Sequence, residues 1–402
     1  MTVSRPNTLH RLAFAVTAVS MMFSVDGTIA HATADSPPAV VISLPAPTGD
    51  LPVGVTEIRF EDSDRPDPWR ADQRRELMVR IWYPAADSAS APTTPWITGG
   101  ALQAQTSDLT DLGIDPDRWE FGPGHSQLDA PARTAGGPFP ILLFSPGMDD
   151  PAGLSTAQAE DLASHGYIVA AINHTHEAFA VQFPDGRTER TVIPLDSPPE
   201  VLSDVLLPVR VADTRFVLNR LTDIATGTAT AETVDLAPSL DPTRVGMFGH
   251  SLGGSTTAQA MHDDPRIRAG ANLDGPLLGP VVADGLNRPL LMLGNDNPRW
   301  LNRENWDPFW PNNSGAKIPL RLSGTEHMSF NDVGLILPQL TTAGLLPATT
   351  TESIIGNANP SRSLDLQRTY LRTYFDLAFG RTDGNLPETI THLAQPGVYL
   401  HP

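Results

Sequence analysis

The 402-residue chain contains no cysteine. That absence removes both a disulfide framework and a lipoprotein-type anchor from consideration. Positive charge is also scarce. Twenty-seven Lys and Arg face 46 Asp and Glu, a formal net charge of -19, which argues against nucleic acid or an anionic lipid surface as a bulk electrostatic partner. Long apolar runs are missing after the N-terminus. The single such stretch, Leu12 to Val25, follows the basic Arg5 and Arg11 and is too short to span a bilayer comfortably. Ala30-His31-Ala32 and Ala32-Thr33-Ala34 then supply small-x-small cleavage patterns. The expectation is a cleaved export signal over 1–34 and a soluble, secreted mature protein with no integral membrane segment. An uncleaved N-terminal anchor is the alternative.

What is abundant points to an ordered, loop-rich protein. Thirty-nine prolines and 32 glycines are scattered among apolar segments, so extended disorder is not expected beyond the ends. Residues 35–50 read as an irregular lead-in, and 51–402 as a single domain of about 350 residues, a size one large α/β domain can fill. Val55–Phe60 and Leu77–Tyr83 come without an intervening helix and read as an antiparallel opening pair. Phe139–Ser145, Tyr167–Asn173, Val245–Gly249, Ala269–Leu273, Leu290–Gly294 and Ile318–Leu322 follow as buried strands. Helices are expected at Leu154–His165, Val201–Ile224, Ser251–His262 and Leu364–Phe379. This alternation predicts a mostly parallel sheet of about eight strands with helices on both faces, an α/β-hydrolase architecture. Two stretches fit the sheet poorly, Ala85–Gly137 and Asn295–Lys317. The second carries Trp300, Trp306, Phe309 and Trp310. Each is either a lid or pocket wall, or a surface loop stitched down by aromatics.

The chemistry centres on Gly249-His250-Ser251-Leu252-Gly253, a G-x-S-x-G pattern between a short apolar strand and a helix. In that context a serine becomes a nucleophile on a tight strand-to-helix turn, with helix amides aimed back at it. A serine hydroxyl needs a base, and the base needs an orienting acid, in the chain order serine, acid, histidine. Among the downstream histidines, His262 lies deep in the helix, while His392 and His401 lie in the tail. His327 stands directly after the final strand and is the expected base. Asp274 and Asp296 follow successive strands, and spacing alone leaves both open as the acid. The oxyanion donors are expected to be the amides of Leu252 and Met148, the latter in the loop Ser145-Pro146-Gly147-Met148.

Several segments together resemble the platelet-activating-factor acetylhydrolase family, particularly its exported bacterial members. They are Arg65 to Trp69, Arg75 to Pro84, Leu142 to Gly147, Asp161 to Ala170, Gly249 to Gly254, Asn272 to Gly275, and Gly324 to Phe330. The resemblance implies Ser251, Asp274 and His327 as the catalytic residues, since the family's acid lies in an N-L-D element. It also implies Met148 as loop donor, and esters with short or oxidised acyl chains as substrates. One departure is Pro146 before Gly147, where vertebrate members usually have His-Gly. An amide donor survives that change, although the shape beside the acyl group need not.

Other signals are weaker. His174-Thr175-His176 could suggest a metal pair, but the further ligands zinc needs are missing, and hydrogen bonding near the pocket rim is the better reading. Glu61 to Asp67 loosely resembles a calcium loop without its glycine and distal glutamate, and reads as a solvated loop. The expected function is an exported serine ester hydrolase working through an acyl-enzyme on small or lipid esters, with no metal or cofactor. A lipase- or cutinase-like polyesterase is the alternative, and a non-catalytic binding protein of the same fold is a third possibility. Oligomeric state is left open.

Overall fold

Continuous apolar runs without alternation mark strands buried on both faces, and several runs of this kind build the centre of the molecule. The computed structural model describes residues 39–86, 93–231, 233–297, 306–393 and 395–400; the expected signal, 1–34, and Trp300 lie outside the described residues. In chain order the strands are β1 (Val40–Ile42), β2 (Val53–Pro66), β3 (Arg74–Pro84), β4 (Thr93–Pro95) and β5 (Trp119–Phe121). Then come β6 (Pro123–Leu128), β7 (Phe139–Ser145), β8 (Ile168–Asn173), β9 (Ala180–Gln182) and β10 (Thr188–Arg190). The last five are β11 (Leu240–His250), β12 (Ile267–Leu273), β13 (Leu290–Asn295), β14 (Lys317–Leu322) and β15 (Val398–Leu400).

Eleven of these form one sheet in the order β15-β14-β13-β12-β11-β7-β8-β3-β2-β6-β4. The eight expected strands are its contiguous middle, with β2 and β3 antiparallel as anticipated. From β8 to β14 neighbouring strands run parallel. This is the α/β-hydrolase arrangement. Three short strands extend it beyond the expected eight: β15 on one edge, β6 and β4 on the other. Within the expected lead-in, β1 pairs in parallel with β5 outside the main sheet.

Alternate side chains point to opposite faces of a strand, and that parity sorts the core. Ile141, Leu143, Ile172 and Met247 pack in one layer with the helices Leu207–Ala225 and Leu252–Asp263. Their neighbours Leu142, Phe144, Val169 and Phe248 pack in the opposite layer with the helices Thr156–Ser164 and Pro360–Ala378. Parallel strands deliver their C-terminal ends to one edge, where ligand sites of open α/β sheets form. Ser145, His250, Leu273, Asn295 and Leu322 all end there. No helix among the described residues is long and apolar enough to cross a membrane.

The acidic stretch differs from its expected form as a solvated loop. Glu61–Pro66 continues β2, and Asp67 is 2 % exposed, because Arg75 offers it a buried cationic partner at 2.9 Å.

Candidate active site

β11 ends at His250 and the helix Leu252–Asp263 begins two residues later, so Ser251 alone makes the turn. Its backbone sits at φ 55, ψ -124, a strained conformation for a residue with a side chain. The turn works only with glycine around it. A Cβ on Gly249 would lie 2.2 Å from the Gly253 carbonyl oxygen, and one on Gly253 would lie 1.8 Å from that of Ser145. The helix is therefore seated hard against the end of β7, beside the loop that follows it.

His327 opens a single helical turn after β14, fixed by Glu326 and Ser329, which exchange side-chain and backbone hydrogen bonds. Its Nε2 lies 2.9 Å from Ser251 Oγ and its Nδ1 2.7 Å from Asp274 Oδ2. A carboxylate can only accept, so Nδ1 carries the proton and Nε2 is left to accept from the serine hydroxyl. Asp274 is fully buried, and its two oxygens also accept from the Asn295 backbone N–H and side-chain amide at 2.7–2.9 Å. The structure thus brings Ser251, His327 and Asp274 into one line of contact. It does not bring Asp296 there: that carboxylate accepts from the Gly324 amide at 3.0 Å and braces the turn ahead of His327.

The histidine of the elbow has its own part. The His250 ring packs on the His327 ring with centroids 4.6 Å apart, and its Nε2–H donates to the His327 carbonyl at 3.0 Å. The imidazole that meets Ser251 is therefore held through its backbone as well as through Asp274. On the other side of the elbow, Leu252 is the first residue of its helix, and its amide lies at the positive end of the helix dipole. Across from it runs Pro146-Gly147-Met148. A Cβ at Gly147 would lie 2.7 Å from Asp150 Oδ2 and 3.3 Å from His250 Nδ1, so the loop passes close to both side chains.

A cavity of about 40 Å³ opens beside Met148 and Met328, walled by Leu109, Leu154, Phe179 and Leu337. Leu109 comes from the helix Gly99–Asp111, so part of Ala85–Gly137 lines this cavity. In Asn295–Lys317, by contrast, Trp306 and Phe309 are wholly buried anchors, and Trp306 Nε1 donates to the Gly275 carbonyl at 2.9 Å behind Asp274. A greasy patch of Trp69, Ile193, Val201, Leu202 and Leu206 packs against Leu252 and Met148.

Beneath the loop lies a buried polar network. Ser145 Oγ is 3.0 Å from His174 Nε2, and His174 Nδ1 is 2.9 Å from Asp213 Oδ2, with all three side chains fully buried. Arg75 in turn binds Asp213 at 2.6 Å and Asp67 at 2.9 Å. Burial, with the nearby Arg210 charge, pushes the His174 imidazole below its ordinary range and keeps it neutral. His176 bridges Asp67 and Glu189 at 3.2 and 3.1 Å. Both rings of the H-x-H pair are thus engaged in side-chain hydrogen bonds. Arg210 and Asp213 belong to no motif in the sequence. The available signal was two charged residues beside the apolar Leu207, Val211 and Leu218 on the buried face of one helix.

The sequence pattern described as platelet-activating factor acetylhydrolase, isoform II, matches residues 39–377. The chain is similar to a probable 1-alkyl-2-acetylglycerophosphocholine esterase of Arthroderma benhamiae, 28 % identical over 383 residues, covering 89 % of this chain and 94 % of that protein. It is also similar to the platelet-activating factor acetylhydrolase of Canis lupus familiaris, 24 % identical over 331 residues, covering 72 % and 68 % respectively. Among solved structures, a ferulic acid esterase from Streptomyces cinnamoneus superposes with a TM-score of 0.71 at 30 % identity, over 90 % of this chain and 99 % of that one.

Proposed function

Because the chain belongs to the platelet-activating factor acetylhydrolase, isoform II, family and is a carboxylic ester hydrolase, we propose that it is an exported serine esterase for short acyl groups. His327 Nε2 takes the proton of Ser251, whose oxygen attacks the ester carbonyl. The Met148 and Leu252 amides hold the resulting oxyanion. As the tetrahedral species collapses, His327 returns the proton to the departing alcohol and an acyl-serine remains. Water, deprotonated by the same nitrogen, then adds to the acyl carbonyl and releases the acid together with free Ser251. Asp274 stabilises the imidazolium that forms in each half-reaction.

The single observation that carries this reading is the line Ser251–His327–Asp274, at 2.9 and 2.7 Å. Met148, the expected oxyanion donor, and Met328, next to His327 in the chain, both border the cavity of about 40 Å³, which puts a small space within reach of the acyl group. With the names of its relatives, that supports esters such as phospholipids bearing a short or oxidised sn-2 chain. A second reading, esters of phenolic acids, is favoured by the likeness to the ferulic acid esterase.

Purified wild type and Ser251→Ala, tested with a fluorophosphonate and a panel of acetyl, butyryl, decanoyl and feruloyl esters, separate these readings. Loss of both turnover and labelling in Ser251→Ala, with a peak at acetyl to butyryl in the wild type, is expected. Persistent labelling of the alanine variant would remove the serine mechanism, and a feruloyl peak would replace the short-chain reading.

A further inference from the structure

We propose that Arg210, deep in the helix Leu207–Ala225, is the positioning residue that aims and polarises the oxyanion-binding amide of Met148. The inference rests on the esterase reading above. Arg210 is 1 % exposed, and its guanidinium reaches the loop rather than the reacting atoms. Nη2 donates to the Gly147 carbonyl at 2.9 Å, and Nη1 donates to the Pro146 carbonyl at 2.5 Å. Glu177, also buried, accepts from Nε at 2.7 Å and pairs with Nη2, so the cation is both neutralised and locked in rotation.

The consequence follows from one peptide plane. The Gly147 carbonyl and the Met148 N–H belong to the same planar unit, and in a trans peptide they point in opposite directions. Fixing the carbonyl on Arg210 therefore fixes the N–H on the side away from Arg210. The same plane cannot rotate to turn that N–H aside without losing the Arg210 bond. Gly147 has no Cβ to restrain the plane on its C-terminal side; the Asp150 amide also reaches its carbonyl, but at 3.3 Å, so Arg210 at 2.9 Å is the shorter and charged hold. A cation on the carbonyl oxygen also draws electron density through the amide, which makes the N–H a stronger donor in a site of low dielectric. A guanidinium fork can hold two successive carbonyls at once, whereas the point charge of a lysine cannot.

Arg210 acts through the Met148 amide, so its loss is to be read in transition-state stabilisation rather than in substrate affinity. Arg210→Lys and Glu177→Gln are compared with wild type after active sites have been counted by fluorophosphonate titration carried to completion. The readouts are kcat and KM per titrated site on a nitrophenyl acetate, and Ki for a trifluoromethyl ketone whose hemiketal places an oxyanion in the same hole. Arg210→Lys is expected to lower kcat per site by about 10- to 100-fold, short of the roughly 10²–10³-fold loss that follows removal of an oxyanion donor. KM should stay within about twofold, and Ki should weaken in proportion to kcat/KM.

A wild-type kcat and Ki per titrated site, with fewer sites titrated, means Arg210 serves folding only and overturns the proposal. Should Arg210→Lys yield no folded protein, Glu177→Gln decides. It leaves the guanidinium in place but loosened, and a smaller loss with the same kcat/KM-to-Ki proportionality is expected; unchanged values overturn the proposal. Absence of Ser251-dependent turnover in the wild type is a separate result, which would remove the parent esterase reading instead.

Discussion

Asp274 gathers three different donors: the ring N–H of His327, and the backbone and side-chain N–H groups of Asn295. Such a carboxylate is held in one orientation toward its histidine, which is what the orienting acid of a serine hydrolase needs. Asp274→Asn should therefore lower kcat by about 10⁴-fold, the loss typical when the base is left in the wrong tautomer. Asp296→Asn, which alters one bond to the Gly324 amide, should stay within about tenfold of wild type; kcat of the two purified variants on one ester is the check. Spacing could not separate these two residues for a physical reason. They follow adjacent parallel strands, with Asn272 beside Met292 in register, so both reach the same sheet edge. The turn decides between them. Asp274 adopts φ 53 in a loop braced by Asn272, whose side chain bonds both the amide and the carbonyl of Gly275, at 2.7 and 2.9 Å. The resemblance of the N-L-D segment carried that information; composition and periodicity did not.

At the level of elements, the central strands were legible because burial on two faces demands unbroken apolar sequence, as in Phe139–Ser145. The edge strands were not. β4 and β6 contain or begin with proline and bury few side chains, and β15 has only three residues, so no pattern distinguishes them from loops. The helix Gly99–Asp111 starts with two glycines and carries mixed polar residues, so tertiary packing rather than propensity holds it. Among helix ends, that of Thr156–Ser164 is unusual. Asp332, fully buried, accepts from the Thr156 amide at 2.7 Å and lies within 3.3 Å of the Ala157 amide, a cap supplied from a distant part of the chain. Burial pushes its carboxyl up to about 7 despite those bonds. The folded state thus favours the protonated form, and the contribution of Asp332 to stability is complete below about pH 4 and declines as pH rises to 7. Thermal unfolding of wild type and Asp332→Asn from pH 4 to 8 tests this. The wild-type Tm should fall relative to the asparagine variant across that range, and parallel curves would refute it.

Across the whole molecule, a second set of buried charges gives the opposite slope. Arg75, on β3, joins Asp67 beyond the end of β2 to Asp213 on the helix Leu207–Ala225, so one guanidinium ties the antiparallel β2–β3 pair to the layer that covers it. Burial raises the Asp67 carboxyl, but bonds from His176 and Arg75 outweigh it and hold it at about 2. Asp213 is likewise held well below the usual carboxylate range, by the Arg75 charge and a bond from His174, against its burial. Both carboxyls are depressed on folding, so their contribution is present above about pH 4 and disappears as pH falls toward 2. The urea midpoint should drop steeply between pH 4 and 3, and Arg75→Met, which removes the buried cation between two buried carboxylates, should lower stability by roughly 3–5 kcal/mol at neutral pH. A midpoint that stays level down to pH 3 would contradict this account.

The same network has a wider consequence. Ser145, His174 and Asp213 stand at 3.0 and 2.9 Å, almost the spacing of Ser251, His327 and Asp274. The described residues therefore hold two hydroxyl–imidazole–carboxylate lines of similar spacing, one sealed and one partly open. His174 is walled in completely, whereas the His327 side chain keeps 13 % of its surface open. What separates a rivet from a reactive centre in this molecule is not the spacing of three side chains. It is whether an ester and a water molecule can reach the oxygen at the end of the line.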